Sequence, residues 1–314
     1  MEKRVDVVCL ILHSFAILEA GILDKAISLG ERLMADLQEK YAKEIAAAKA
    51  RIWSTPRTRL VFETGESVSK YNPLSSRIGG QILWPDIQPL PKTSDGRVME
   101  MVLQINLAEF PKLPDFPASG LLQLFLSYDG ATRSITFSKE HEQTRSYPTR
   151  NGDGFHLVYH PDPTQLTIMP YVPPLQEEAV LESGFHQNAI PILLNKVEEM
   201  IPPPNHWLGR QEIMQFANLI KQDEYDAYDI LVPPIWGDDP RTSLEGFHLG
   251  GYASPGQLDQ RYFFPQWRWY DRCVLHFEDL VGLQIGYAVV YLALAEEKLR
   301  EGNFSDAVFF MGTI

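Results

Sequence analysis

Few residues in this chain of 314 have both the type and the spacing to do chemistry. His156 and His160 stand four apart, which on a helix is the spacing of two ligands to one zinc ion. Their surroundings, Phe155-His156-Leu157-Val158-Tyr159-His160, read as a strand. A rise of about 3.3 Å per residue then separates them by about 13 Å, too far to share a metal. His141-Glu142 lacks the second histidine of a His-Glu-x-x-His motif. Cys9 and Cys273 sit in separate apolar runs, with no Cys-x-x-Cys spacing, and Gly-x-Ser-x-Gly does not occur. Neither a zinc site, a disulfide framework nor a nucleophile elbow is indicated. Asp238-Asp239 is a carboxylate pair, but consecutive acids in a proline-bounded loop read as solvated. No catalytic set, metal or cofactor is expected.

Two Gly-Gly pairs remain. Arg77-Ile78-Gly79-Gly80 is echoed by His248-Leu249-Gly250-Gly251. Adjacent glycines permit positive φ and close backbone approach. That suits a cradle of bare amides for a phosphate or substrate, or a strand-entry turn. Neither pair lies in Gly-x-Gly-x-x-Gly or precedes the Lys-Ser/Thr of a P-loop, which favours the turn. The echo continues. Val102-Leu103-Gln104-Ile105 begins 23 residues after Gly79, and Val274-Leu275-His276-Phe277 begins 24 after Gly250. Gly120 to Leu126 is answered by Gly286 to Leu292. Turns and strands in the same order predict an internal duplication. Arg77 and His248 hold matching positions, as do Gln104 and His276; with Gln123 they break apolar runs. A buried polar side chain must find partners, so these residues either complete the fold or line a cleft between the halves.

The run Tyr262-Phe263-Phe264-Pro265-Gln266-Trp267-Arg268-Trp269-Tyr270 is the most unusual local composition. Trp, Tyr and Arg dominate protein interfaces, and aromatic rings also stack on bases or sugars. A segment that covers the sheet accounts for the same residues.

Charge narrows the partner. Forty-one acidic against 28 basic residues give a net charge of −13. Phosphate backbones and anionic membranes are repelled, so no nucleic acid and no membrane is expected. A basic protein partner fits, although plain solubility is the favoured explanation of the charge. Unpaired cysteines fit a reducing cytoplasm. Val5 to Leu23 is apolar behind Lys3 and Arg4, but Asp6, His13 and Glu19 interrupt it. It reads as a buried helix, with a secretion signal as the alternative.

The elements that must position these residues follow from periodicity. Leu33, Leu37, Tyr41, Ile45, Ala48 and Ile52 make one helical stripe. Pro56 ends it, and strands are predicted at Arg59–Glu63, Met101–Asn106, Leu121–Ser127, Arg133–Phe137 and Phe155–Tyr159. Pro191 opens a helix through Met200, and a second helix runs from Leu208 to about Tyr225. Pro233-Pro234 then opens a loop. Tyr287–Leu294 and Ala307–Phe310 form a terminal strand pair. The expected fold is α+β. Its β-rich core carries an internal pseudo-duplication, with N-terminal helices in front and a helical insert between the halves. The segments are 1–54 and a domain of 55–314, with halves at about 59–130 and 244–312.

The same residues carry a resemblance. Ser76-Arg77-Ile78-Gly79-Gly80 with Trp84-Pro85, then Leu103-Gln104-Ile105-Asn106-Leu107, Leu113-Pro114 and Gly120 to Leu126, occur in the order seen in the YwqG-like family of bacterial proteins. Phe155 to Tyr159 resembles its next strand, and His248 to Tyr252 with Gln257 resembles its second half. The resemblance covers roughly 55–312 and implies a duplicated α+β fold of unknown function, with no catalytic residue to carry over. The reading is a non-catalytic binding or interaction protein, immunity-like or regulatory, with a basic protein partner. The alternative is a small-molecule binder or enzyme with a cleft lined by Arg77, Gln104, Gln123, His248 and His276. Gln257, Trp267 and Trp269 complete the candidate cleft or interface residues.

Overall fold

A computed structural model describes residues 32, 34–93, 96, 98–129, 134–135, 148–169, 188–221, 223–236, 246–253, 255, 259–278 and 288–313. Val5 to Leu23, Cys9, His141, Asp238, Asp239 and Gln257 lie outside them. The chain divides into two compact units, residues 1–51 with 212–238, and 52–211 with 239–314.

The first unit is helical. Helix α1 (Ala42–Trp53) follows helical residues 34–40 and buries Ile45 and Ala48 from the predicted stripe. Helix α2 (Trp207–Ile220) buries Ile213, Phe216, Ala217 and Ile220, the predicted face. Tyr41 meets Phe216 edge to face with ring centroids 5.7 Å apart, and Arg51 grips Glu212 through bonds of 2.8 and 2.6 Å. Helix α3 (Glu224–Ile235) starts on Asp223, whose side chain accepts from the Asp226 N–H. The acids Glu224 and Asp226 sit in its first turn, where the helix dipole favours them. Pro233 and Pro234 do not open a loop; they lie inside α3. Burial of Ile230, Leu231 and Ile235 carries the last turn past residues that lack an N–H.

The second unit is a sheet structure. Its strands are β1 (Arg57–Thr64), β2 (Arg77–Gly79), β3 (Leu83–Trp84), β4 (Glu100–Asn106), β5 (Leu121–Leu126), β6 (Tyr128–Asp129), β7 (Ser134–Ile135), β8 (Thr149–Arg150), β9 (Phe155–His160), β10 (Thr167–Ile168), β11 (Ala189–Met200), β12 (Phe247–Gly250), β13 (Arg272–Phe277), β14 (Ala288–Leu294) and β15 (Val308–Thr313). Eleven form one sheet in the order β8-β15-β14-β13-β12-β1-β11-β2-β4-β5-β9.

The duplication is visible in its register. Arg77 pairs with Gln104 and Gln104 with Gln123 across β2, β4 and β5. His248 pairs with His276 and His276 with Tyr291 across β12, β13 and β14. The sequence echo holds through the second strand. In the third, the spatial equivalent of Gln123 is Tyr291, two residues beyond Val289, which the sequence match aligned with it. The halves also exchange a strand. β1 precedes β2 in the chain but pairs with β12, while β11 precedes β12 but pairs with β2. β1 and β11 meet at the centre, where Glu63 faces Leu193, flanked symmetrically by Phe62 with Leu194 and Thr64 with Ile192.

Pro191 to Met200 is thus a strand, not a helix. Ile190, Ile192 and Val197 are β-branched, and pairing with β1 along its whole length outweighs local helical potential. Pro191 keeps its carbonyl in the ladder, accepting from the Gly65 N–H at 2.9 Å. One core joins both halves: Ile78, Leu103 and Leu124 from the first pack in the same cluster as Leu249, Leu275 and Leu292 from the second. The Gly-Gly pairs end β2 and β12 with all four φ values positive, from 69° to 78°. A Cβ at Gly80 would stand 2.7 Å from the Tyr71 hydroxyl, and one at Gly251 would stand 2.9 Å from the Arg59 Cβ. Turn geometry and close packing therefore explain them.

Candidate binding site

The polar residues of the two halves form two separate buried rows. In the first, Arg77, Gln104 and Gln123 are wholly buried. His160 Nε2 lies 3.1 Å from Gln123 Oε1. Gln123 Nε2 donates to Gln104 Oε1 at 3.0 Å and to the Leu83 carbonyl. Gln104 Nε2 and Arg77 Nη1 both donate to the Pro73 and Ser75 carbonyls, and Arg77 Nη2 donates to that of Gln81. This row ties the segments on either side of β2, at Pro73 to Ser75 and at Gln81 to Leu83, onto the sheet, and the Trp84 ring closes over His160, edge on, at 5.2 Å. Burial is the main cause that lowers the Arg77 pKa to about 10.

The second row stacks instead. The His248 and His276 rings lie 4.5 Å apart at 15°. Their Nδ1 atoms sit 3.1 Å from the Gly250 and Gly246 carbonyls. Burial, then the positive fields of His276 and Arg59, hold His248 well below the usual histidine range. Tyr291 stacks on Phe310, and the Arg261 guanidinium lies 5.4 Å from the Tyr291 ring centroid. Arg261 is fully buried, and burial opposes its charge, yet Asp259 outweighs that through bonds of 2.8 to 3.2 Å. His206, also buried, is held well below its usual pKa by burial and then by Arg261. Burial pushes the Cys273 thiol up to about 12.

These rows do not meet. β11 and β1 lie between β2 and β12, so the strands of Arg77 and His248 are three spacings apart, about 14 Å across the sheet, and an offset of four residues along β1 separates the two side chains further. Trp267 is half-buried against Tyr270 and its neighbours. Trp269, at 63 % relative exposure, projects to solvent, as do Phe263 and Phe264. The aromatic run itself is a short helix, α4 (Gln260–Phe263), followed by a 3-10 turn (Pro265–Trp269). Arg268 anchors that turn by donating to the Arg261 and Tyr262 carbonyls.

The open space lies elsewhere. A cleft of about 570 Å³ runs between the aromatic turn and helix α5 (Glu296–Arg300), lined by Trp269, Arg268, Asp271, Glu296, Glu297, Arg300 and Glu301. Three of its lining residues, Asp271, Glu296 and Arg300, are held in ion pairs. Arg272 and Arg300 both bond Glu296, Arg300 Nε donates to Asp115 at 2.6 Å, and Arg57 pairs with Asp271 at 2.7 Å. Glu297 makes no ion pair among the described residues and faces solvent. A second hollow, about 260 Å³, lies between the halves, where Pro114, Asp115 and Phe116 approach Gly250, Gly251, Arg57 and Arg272. Asp115 holds a left-handed φ of 67° there, a conformation most residues avoid. Neither the cleft nor the hollow is legible in the sequence. The charges of 296–301 were visible, but nothing local linked them to Asp115 or Arg57.

Among the described residues no three His, Cys, Asp or Glu side chains gather to hold a metal ion, and no described helix is long and apolar enough to cross a membrane. A family model described as a domain of unknown function, DUF1963, matches residues 76–312. No curated protein matches the chain.

Proposed function

The chain belongs to the DUF1963 family, and from its surface we propose that it is a binding protein whose cleft between Trp269 and α5 takes a cationic side chain of a basic protein partner. One observation carries the reading: the exposed Trp269 indole borders a cleft that also presents Glu297, an exposed carboxylate with no ion pair among the described residues. An ammonium or guanidinium group is attracted to an indole face and to nearby carboxylates at once. The overall charge of −13 would steer such a partner towards the surface. On this reading the protein is a cytoplasmic, regulatory or immunity-like member of the YwqG-like bacterial group. A low-salt pulldown from native lysate compares the wild-type chain with Trp269→Ala and Glu297→Lys variants as bait. A basic protein captured by the wild type and lost from both variants supports the proposal. Equal capture by all three baits sinks it.

A second reading rests on the hollow between the halves, where both halves contribute walls to about 260 Å³. It would hold a small molecule against the Gly250-Gly251 backbone. A thermal-shift screen against a metabolite library checks it, since binding stabilises the folded state; a compound that shifts wild type but not Arg57→Ala supports it.

A further inference from the structure

We propose that the second half of β11 is a self-pairing edge, through which two copies of the chain join their sheets. β11 runs over twelve residues, but β2 covers only Ala189 to Pro191 on its outer side. Beyond the bond from the Ile192 N–H to the Ser76 carbonyl, no described backbone bond reaches that side of residues 193–200.

Which groups point outward follows from the register. The Thr58 carbonyl accepts from the Gly251 N–H, so Thr58 and Leu60 turn their backbone bonds towards β12. Arg59 and Val61 therefore turn towards β11, where their partners are Glu198 and Lys196. Val197 and Glu199 are left with N–H and C=O groups directed away from the sheet. Such an unpaired row is a template for another strand. Asn195, Lys196, Val197 and Glu199 are all exposed, and nearly half the surface of Val197 is open at 48 %.

The sequence of this edge is complementary to itself. In an antiparallel pair centred on Val197, each Val197 faces its copy as a hydrogen-bonded pair. Lys196 then faces Glu198 of the other copy, and the paired stretch ends at Asn195, the residue skipped where the register with β1 shifts. Opposite charges face each other at both Lys–Glu positions, and no like charges meet directly. Within one chain Lys196 already bonds Glu198 at 2.8 Å and Arg59 bonds it at 2.6 Å, so the second copy extends an existing network. A second copy of this chain is the occupant that this pattern fits.

Sedimentation velocity of the full chain over a concentration series reads the state, with twice 35.8 kDa expected at high concentration. Val197→Pro deletes an outward N–H and no bond to β1, so it should fold like wild type, by circular dichroism, yet stay monomeric. Val197→Cys reads the register directly: Cα atoms of a hydrogen-bonded antiparallel pair lie about 5.5 Å apart, within disulfide reach. Mild oxidation should link Val197→Cys chains into dimers and leave Glu199→Cys chains unlinked. A wild-type monomer at every concentration with no linked Val197→Cys dimer overturns the proposal, as does a dimer that Val197→Pro leaves intact.

Discussion

Acid should destabilise the sheet unit through its buried histidines, with a slope the structure sets. His206 and His248 are wholly buried, and burial holds both well below the usual histidine range. Their folded-state pKa is depressed, so they are neutral in the folded chain and charge only on unfolding. Below about pH 6.5 the unfolded chain binds two protons that the folded chain refuses. Each proton is worth about 1.4 kcal/mol per pH unit, so stability falls by roughly 2.7 kcal/mol per unit as pH drops. Glu100 opposes this. Burial raises its pKa to about 7 from 4.5, so its contribution is complete below 4.5 and is lost as pH rises through 7. Between those values it cancels one histidine, leaving a net loss of about 1.4 kcal/mol per unit. His156 and His160, lowered by partial burial, steepen every curve alike. Urea titrations at several pH values measure the slope. His248→Phe keeps a ring against His276 and should flatten it by about 1.4 kcal/mol per unit, while Glu100→Gln should steepen it by as much. If His248→Phe leaves the slope at the wild-type value, His248 is charged or solvated in the folded chain and the reasoning fails.

Arg77→Met leaves Gln104 Nε2 on the Pro73 and Ser75 carbonyls but takes the donor from that of Gln81 and should cost about 1 to 3 kcal/mol, read as a Tm lowered by several degrees. Gly251→Ala meets both a positive φ of 71° and the Arg59 Cβ at 2.9 Å; urea denaturation should show a loss of about 1 to 3 kcal/mol. Cys273, buried and with its thiol pushed up to about 12, should resist thiol reagents in a folded Cys9→Ser chain and react only after denaturation.

Much of the sheet could be read from the sequence, because its signals are local. The glycine pairs, the apolar runs around Gln104 and His276, and the terminal strands all declared themselves by alternation and spacing. Arg77, Gln104, His248 and His276 proved to be register partners for the same reason. What stayed hidden depends on distant contacts. β11 carries a helical-looking Asn195 to Met200, and only its pairing with β1, more than 100 residues earlier, makes it a strand. The exchange of β1 and β11 between the halves leaves no local trace. Helix α3 continues through two prolines because Ile230 and Leu231 are buried. The candidate cleft was half visible: Trp269 stood out by composition. Glu296 and Arg300 looked like an ordinary charged turn until Arg272 and Asp115 joined them.

The cleft beside Trp269 is proposed to seat a cationic chain. Isothermal titration of the full chain with an arginine- and lysine-rich peptide at low salt tests it most directly. Saturable binding is expected. Trp269→Ala should weaken it about two- to fivefold, the equivalent of roughly 0.5 to 1 kcal/mol for one lost cation–indole contact at an exposed site, and Glu297→Lys should weaken it further. Binding of equal strength in the wild type and both variants, or none at all in the wild type, would contradict it.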